Sequence, residues 1–275
     1  MNATRAFGIG LFVLAGCVTG SAQLQNNSEK QLTCQNGFRD GQRARHCEIR
    51  EQAVAAAGRL AVESTNGSIM VKGWLQSGVL VRARIDATGE NEGAAAVLAS
   101  KVWVDASGGQ IRANGPNTSN ESSWNISYEI FVPQTGDLDL KSQNGALTVS
   151  DVRGQIHFDV VNGAVRLKRV AGEVKGATVN GAIQVELAGN SWDGRQMDLT
   201  TRNGSVTVAM PASYSARVQA ETNMGGIQSD FPGAPTAIED STRPRRLDFN
   251  IGAGGPLIHV TTGNGSVRFK RAETQ

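Results

Sequence analysis

The chain has 275 residues, 27 Lys and Arg against 25 Asp and Glu, a net charge of +2, 33 glycines and only 5% aromatic residues. So even a balance argues against a general nucleic-acid binder, which carries a strong basic excess. The length supports one continuous core, burying roughly 70–75% of the unfolded surface.

Residues 1–22 read as an export signal. Arg5 is the charged start, and Ala6 to Val18 is apolar, without an acid, and too short to span a bilayer. Two routes stay open. Gly20-Ser21-Ala22 is an ordinary small-residue cleavage site, whereas Leu14-Ala15-Gly16-Cys17 matches a bacterial lipobox, in which Cys17 would be lipidated. Either way Cys34 and Cys47 remain as a pair suited to a disulfide in an oxidising compartment. His46 beside Cys47 lacks a second ligand pair at metal spacing. Residues 23–57 read as a polar N-terminal arm pinned by that disulfide. Its arginines Arg39, Arg43, Arg45 and Arg50 are offset by Asp40, Glu48 and Glu51.

Residues 58–275 read as the repeat domain. Val79 to Ile85, Lys101 to Asp105 and Trp124 to Val132 alternate as strands. Glu90 to Ser100 is the one helical stretch, acidic at its start and Ala-rich thereafter. Gly115 to Ser123 is a polar loop. From residue 134 onward one template dominates: apolar residues at −6 and −4, usually Ser or Thr at −2, Asn-Gly at 0 and +1, apolar again at +3 and +5. It recurs at Asn66-Gly67, Asn144-Gly145, Asn162-Gly163, Asn180-Gly181, Asn203-Gly204 and Asn264-Gly265, with Met224-Gly225 as a degraded copy. Asp230 to Gly255, rich in Pro, Gly and Arg, reads as a loop off the repeats.

Alternation with period two on both sides of a turn means half-buried strands. Asn-Gly fits a turn with positive φ, which Gly adopts freely and Asn tolerates. Two architectures share this pattern: two-residue hairpins, or corners of a solenoid whose rungs stack. The 18-residue spacing of the units at Asn144, Asn162 and Asn180, with a second turn at Val152-Arg-Gly154 and Val170-Ala-Gly172, favours rungs.

Chemistry-bearing constellations are sparse. An enzyme on such a scaffold needs acids at one phase of neighbouring rungs. Position −3 instead reads Lys141, Asp159, Ala177, and position +6 reads Ser150, Lys168, Glu186. Asp137, Asp139, Asp151 and Asp193 fit turns and the wet face. His157 and His259 fit outward strand positions. There is no nucleophile elbow, Walker loop or dinucleotide fingerprint. Trp74, Trp103, Trp124 and Trp192 could stack on sugar, but turn-flanking Trp74 and Trp192 read first as caps on core layers. Arg243, Arg245 and Arg246 read as a solvated loop or a grip on an anionic partner.

The segments GSIMVKGW (67–74), WNISYEIFVP (124–133), WDGRQMDLTTRNGSV (192–206), PASYSA (211–216) and GGIQSDFP (225–232), with the Asn-Gly units, resemble the bacterial DUF4097 family of adhesin-like β-strand repeat proteins. The resemblance implies an all-β fold, a single-stranded right-handed parallel β-helix with a more irregular N-terminal portion. It implies an extracytoplasmic place in the cell envelope and a polymer- or protein-binding role. An accessory or sensor part in envelope-stress signalling is the alternative, and a polysaccharide-active enzyme a second one. No catalytic residue, metal ligand or cofactor is expected, and no nucleic-acid partner.

Overall fold

A computed structural model describes residues 30–34, 37–39, 43–119, 121–234 and 245–272. The export signal, Cys17 and Arg243 lie outside the described residues. From Leu32 onward the chain forms one unit.

The N-terminal portion comprises β1 (Gly37–Arg39), β2 (Arg43–Val54), β3 (Arg59–Asn66), β4 (Ile69–Trp74), β5 (Val79–Gly89), α1 (Glu92–Ser100), β6 (Trp103–Ser107), β7 (Gln110–Asn114) and β8 (Ser123–Pro133). The repeats supply β9 (Asp137–Asn144), β10 (Leu147–Ser150), β11 (Arg153–Asn162), β12 (Val165–Lys168), β13 (Ala171–Asn180), β14 (Ile183–Glu186), β15 (Gln196–Asn203) and β16 (Val206–Met210). The C-terminal portion holds β17 (Ala216–Met224), β18 (Ile227–Ser229), β19 (Arg246–Ile251), β20 (Leu257–Asn264) and β21 (Val267–Arg271).

These strands build two large mixed sheets. Sheet A is 11-stranded, β1-β2-β5-β8-β4-β10-β12-β14-β16-β21-β18; sheet B is 10-stranded, β19-β17-β20-β15-β13-β11-β9-β3-β7-β6. Each Asn-Gly corner carries the chain from a strand in sheet B to one in sheet A. The hairpin reading is therefore excluded: β9 and β10 lie in different sheets and do not pair with each other. They pair instead with the same strands of the next layer, in parallel and in register, as in Leu147↔Val165 and Leu138↔Ile156.

The core fills the space between the sheets. In the layer of Asn144 the template residues Leu138, Leu140, Leu147 and Val149 are all at most 2% exposed. In the layer of Asn180 the −4 slot is Gly176, because a Cβ there would meet the Phe158 ring at 2.2 Å. The large ring of one layer thus replaces the side chain of the next.

The expected helix forms from Glu92, capped by Asn91, whose side chain accepts from the Ala94 amide at 2.9 Å. Within the stretch read as an arm, Arg43–Val54 is strand β2, paired antiparallel along its length with β5. Within the stretch read as a loop, Arg246–Ile251 is β19, an antiparallel cap on β17. Its outward residues Arg246, Asp248 and Asn250 alternate with buried Leu247, Phe249 and Ile251, a strand pattern that its Pro- and Arg-rich flank obscures.

The corners work differently from the positive-φ expectation. None of the corner asparagines has positive φ, and among the corner glycines only Gly67 and Gly225 do. What the corners require is the absence of a side chain. A Cβ on Gly145 would lie 2.0 Å from Gly67 O, one on Gly163 2.0 Å from Gly145 O, and one on Gly181 1.9 Å from Gly163 O. Gly204 and Gly265 repeat the collision at 2.0 Å. The asparagines form a ladder up the stack, each Nδ2 donating to the Oδ1 of the layer before: Asn144 to Asn66 at 3.0 Å, Asn162 to Asn144 at 2.9 Å, Asn180 to Asn162 and Asn203 to Asn180 at 2.8 Å. The −2 hydroxyls are buried and donate to a corner glycine carbonyl, the serines to that of their own layer and the threonines to that of the adjacent one. Ser142 donates to Gly145 O at 3.2 Å, and Thr201 to Gly181 O at 3.0 Å. Positive φ falls at the opposite corner instead, at Asp151 (61°) and Arg169 (48°).

Candidate functional site

The two sheets turn different faces outward, because every second residue of a strand points away from the core. On sheet B most outward charged side chains are paired, Lys175 and Arg202 being exceptions among the described residues. Arg59 pairs with Asp139 at 2.9 Å, Lys141 with Glu63 at 3.9 Å, Arg217 with Asp248 at 3.0 Å and Arg246 with Glu221 at 2.9 Å. The guanidinium of Arg217 and the amide of Gln219 hold the Asp248 carboxyl below the usual carboxylate range. His157 meets Asp159 at 3.1 Å and His259 meets Asp198 at 3.0 Å. Both histidines are outward, as their strand phase predicts. They stand in one column, but Lys175 and Asp198 lie between them.

Sheet A is different. Its stacked strands carry Lys72, Arg166, Lys168, Arg268, Lys270 and Arg271, and their one carboxylate is Glu186. Lys168 neutralises it at 3.1 Å. Arg166 donates only to the neutral Gln184 side chain, at 3.0 and 3.3 Å. A cleft of about 590 Å³ opens on this face, lined by Arg166, Gln184, Glu186, Thr207, Lys270 and Arg271 among others. Register explains its shape. Gln184 pairs with Thr207 and Thr207 with Arg268, while Glu186 pairs with Ala209 and Ala209 with Lys270. The short side chains Thr207 and Ala209 form a floor between layers of long ones.

A second cleft of about 440 Å³ lies at the other end of the stack, lined by Asn66, Asn114, Asn117, Asn125, Arg112 and Trp124 among others. Trp124 is not free to stack there. Its Nε1 donates to Pro116 O at 2.7 Å, and Gly115 lies so close to the ring that a Cβ would be 2.9 Å from it. Trp192 is 3% exposed within the core, and Trp74 packs on Phe131 with ring centroids 5.5 Å apart. Trp103 is exposed.

The acids do not converge. Asp137 accepts from the Gln155 amide at 2.8 Å, Asp151 receives Arg169 at 2.7 and 2.8 Å, and Asp193 pairs with Arg153. Each holds one layer to another. Among the described residues no group of three or more His, Cys, Asp and Glu could hold a metal ion. Cys34 and Cys47 form the disulfide read from their pairing, with Cα atoms 5.5 Å apart. Beside it Arg82, Glu129 and Glu51 form a partly buried cluster that composition did not reveal. Arg82 pairs with Glu129, whose side chain is 1% exposed, and with Glu51 at 2.8 Å. Leu32 N donates to Glu129 at 3.3 Å, fastening the segment that leads into Cys34.

Parallel layers, an amide ladder and polar outer faces define a stacked β-repeat protein. The chain matches the Toastrack DUF4097 family over residues 42–269 and belongs to it. No curated protein matches it. Among solved structures, the chain is similar to a protein from Clostridium sporogenes provisionally named a cell adhesion protein (11% identity, 82% of this chain and 100% of that one, TM-score 0.46). It is also similar to a provisionally named lipid binding protein from Parabacteroides distasonis (11% identity, 82% and 97%, TM-score 0.31). A third is a provisionally named adhesin from Bacteroides fragilis (9% identity, 82% and 97%, TM-score 0.30).

Proposed function

We propose that the chain is an exported, non-enzymatic envelope protein that uses a sheet face to bind a surface polymer or a protein partner, an adhesin-like role. The observation that carries this reading is a local one: on the repeat strands of sheet A, Arg166 and Lys270 border one cleft with no carboxylate partner among the described residues, whereas most outward charges of sheet B are paired. An outward charge that the fold does not use is available to a partner. The acids that an enzyme would need are instead spent one by one between layers.

Export is supported by the Cys34–Cys47 disulfide, which persists in oxidising compartments. In this reading residues 1–22 are the leader, with Cys17 as a possible lipidation point, residues 23–57 lead into the fold, and residues 58–275 are the repeat domain. The coil is read as right-handed, since parallel strands joined by a crossover take that hand in nearly all cases.

The test is binding of labelled protein to isolated bacterial envelopes, with mass spectrometry of the native N-terminus. Saturable binding and a processed terminus are expected. Absence of envelope binding overturns the reading, as does turnover of a polysaccharide panel abolished by one Asp substitution.

A further inference from the structure

We propose that the cleft on sheet A seats an acidic polysaccharide segment, its acid groups held by Arg166 on one wall and Lys270 and Arg271 on the other. This rests on the binding reading above and specifies the ligand class for one face.

The geometry comes from the order of layers. Adjacent strands lie about 4.8 Å apart, so the Arg166 layer and the Lys270 layer, three steps apart, are separated by about 14 Å. The floor between them, Thr207 and Ala209, is short and polar or small. The volume of about 590 Å³ falls in the range of sites for organic ligands, well above what a lone inorganic ion needs. Gln184 and Thr207 can exchange hydrogen bonds with sugar hydroxyls.

Charge selects the class. Among the described residues, Lys270 has no carboxylate within ion-pair distance, and Arg166 spends its guanidinium on a neutral amide. Glu186, the one acid in the cleft, is already matched by Lys168 at 3.1 Å. Arg271 is oriented by the Phe231 ring, 5.8 Å from its centroid. Carboxylate or sulfate groups on a polymer meet this excess. A bilayer surface is the poorer fit, because the exposed large apolar residues Leu75, Val97, Trp103, Val161, Val179 and Met224 all lie outside the cleft.

The test is affinity co-electrophoresis with polygalacturonate, dextran and phosphatidylglycerol vesicles, using the wild type, Arg166→Gln/Lys270→Gln and the sheet B control Lys141→Gln. Retardation by polygalacturonate alone is expected, falling steeply with added salt. The double variant should bind about tenfold more weakly, in line with the modest worth of exposed charges, and the control should match the wild type. Circular dichroism checks that both variants fold. No binding of polygalacturonate, equal binding by the double variant, or vesicle binding with the same dependence on Arg166 and Lys270 overturns the proposal. If envelopes still bind while polygalacturonate does not, this inference fails and the broader reading stands. If neither binds, both fail.

Discussion

Asn264 donates from Nδ2 to Asn203 Oδ1 at 2.7 Å, although 61 residues separate them. The layer of Asn264 therefore lies directly on that of Asn203, and the intervening layer of Met224 is pushed outward to the end of the stack. Register confirms it: Val267 pairs with both Val206 and Ile227, and Asn264 pairs with both Asn203 and Met224.

This placement explains the degraded repeat. Met224 is 68% exposed beside Asn264 and cannot donate to its amide oxygen. Met224→Asn should extend the ladder by one hydrogen bond and stabilise by about 0.5–1 kcal/mol. Asn162→Ala, which removes one donated and one accepted bond in mid-ladder, should cost about 1–2 kcal/mol. Urea denaturation measures both, and equal midpoints for wild type and Met224→Asn would show that the ladder ends at Asn264 for another reason.

The repeat phase was legible around Asn66 and from residue 138 to 269, because apolar alternation about Asn-Gly survives in most units, with Met224 and Gly176 as departures. The order of layers was not. Phase states which residues are equivalent, and any equivalent unit can stack on any other, so nothing local to Asn264 reveals its neighbour. The sheet A cleft was hidden for the same reason: Ala209 borders Lys270 only because β21 is inserted beside β16. The corner chemistry also differs from the hairpin expectation. Asn-Gly is a hairpin signal when both residues take positive φ, whereas here Gly answers to a carbonyl of the neighbouring layer and Asn to another Asn. Positive φ sits at Asp151 and Arg169, where the bidentate ion pair between them fastens successive layers.

The glycine column makes a sharp contrast in tolerance. In Gly163→Ala the new methyl would lie 2.0 Å from Gly145 O and 2.6 Å from its carbon, backbone atoms that cannot turn aside. A loss above about 4 kcal/mol or failure to fold is expected, in the range reserved for severe core disruption. Gly136→Ala meets nothing within 4 Å and should change stability by less than about 1 kcal/mol. Thermal melts of the soluble fraction, run side by side, decide the matter, and similar behaviour of the two variants would refute the close-approach account.

Alkaline sensitivity follows from two tyrosines. Burial pushes the hydroxyls of Tyr128 and Tyr214 far above the ordinary tyrosine range. The folded state then holds both protons longer than the unfolded state does. Their contribution is complete below about pH 10 and is lost as pH rises above it. Tyr128 Oη is buried without a hydrogen-bond partner. Tyr128→Phe should therefore stabilise by about 1 kcal/mol at neutral pH and make the alkaline loss shallower. Guanidinium unfolding at pH 7 and at pH 10.5 tests this, with an unchanged alkaline slope as the contrary result.

Reduction of the Cys34–Cys47 bridge should lower stability by about 3 kcal/mol, the chain entropy of reopening a loop between cysteines 13 apart. A melt with and without reductant measures the shift, and Cys34→Ser/Cys47→Ser should reproduce it without reductant. A reductant effect that persists in the double variant would point to another cause.

The Arg82–Glu129 pair separates stability from charge. Arg82 and Glu129 side chains are 7% and 1% exposed, so Arg82→Met leaves a buried carboxyl without its guanidinium. That should cost about 3–5 kcal/mol. Arg82→Met/Glu129→Leu removes both ionic groups and should recover most of the loss, because an apolar pair of similar volume carries no desolvation penalty. The recovery has a limit set by Leu32, whose amide donates to Glu129 and would lose its acceptor. Proteolysis distinguishes the two effects. Global stability should return in the double variant while cleavage near Leu32 and Thr33 rises, because Leu32 would lose its hydrogen bonds to both Glu129 and Arg82. Full protection of that segment in the double variant would show that the ion pair does not fasten it.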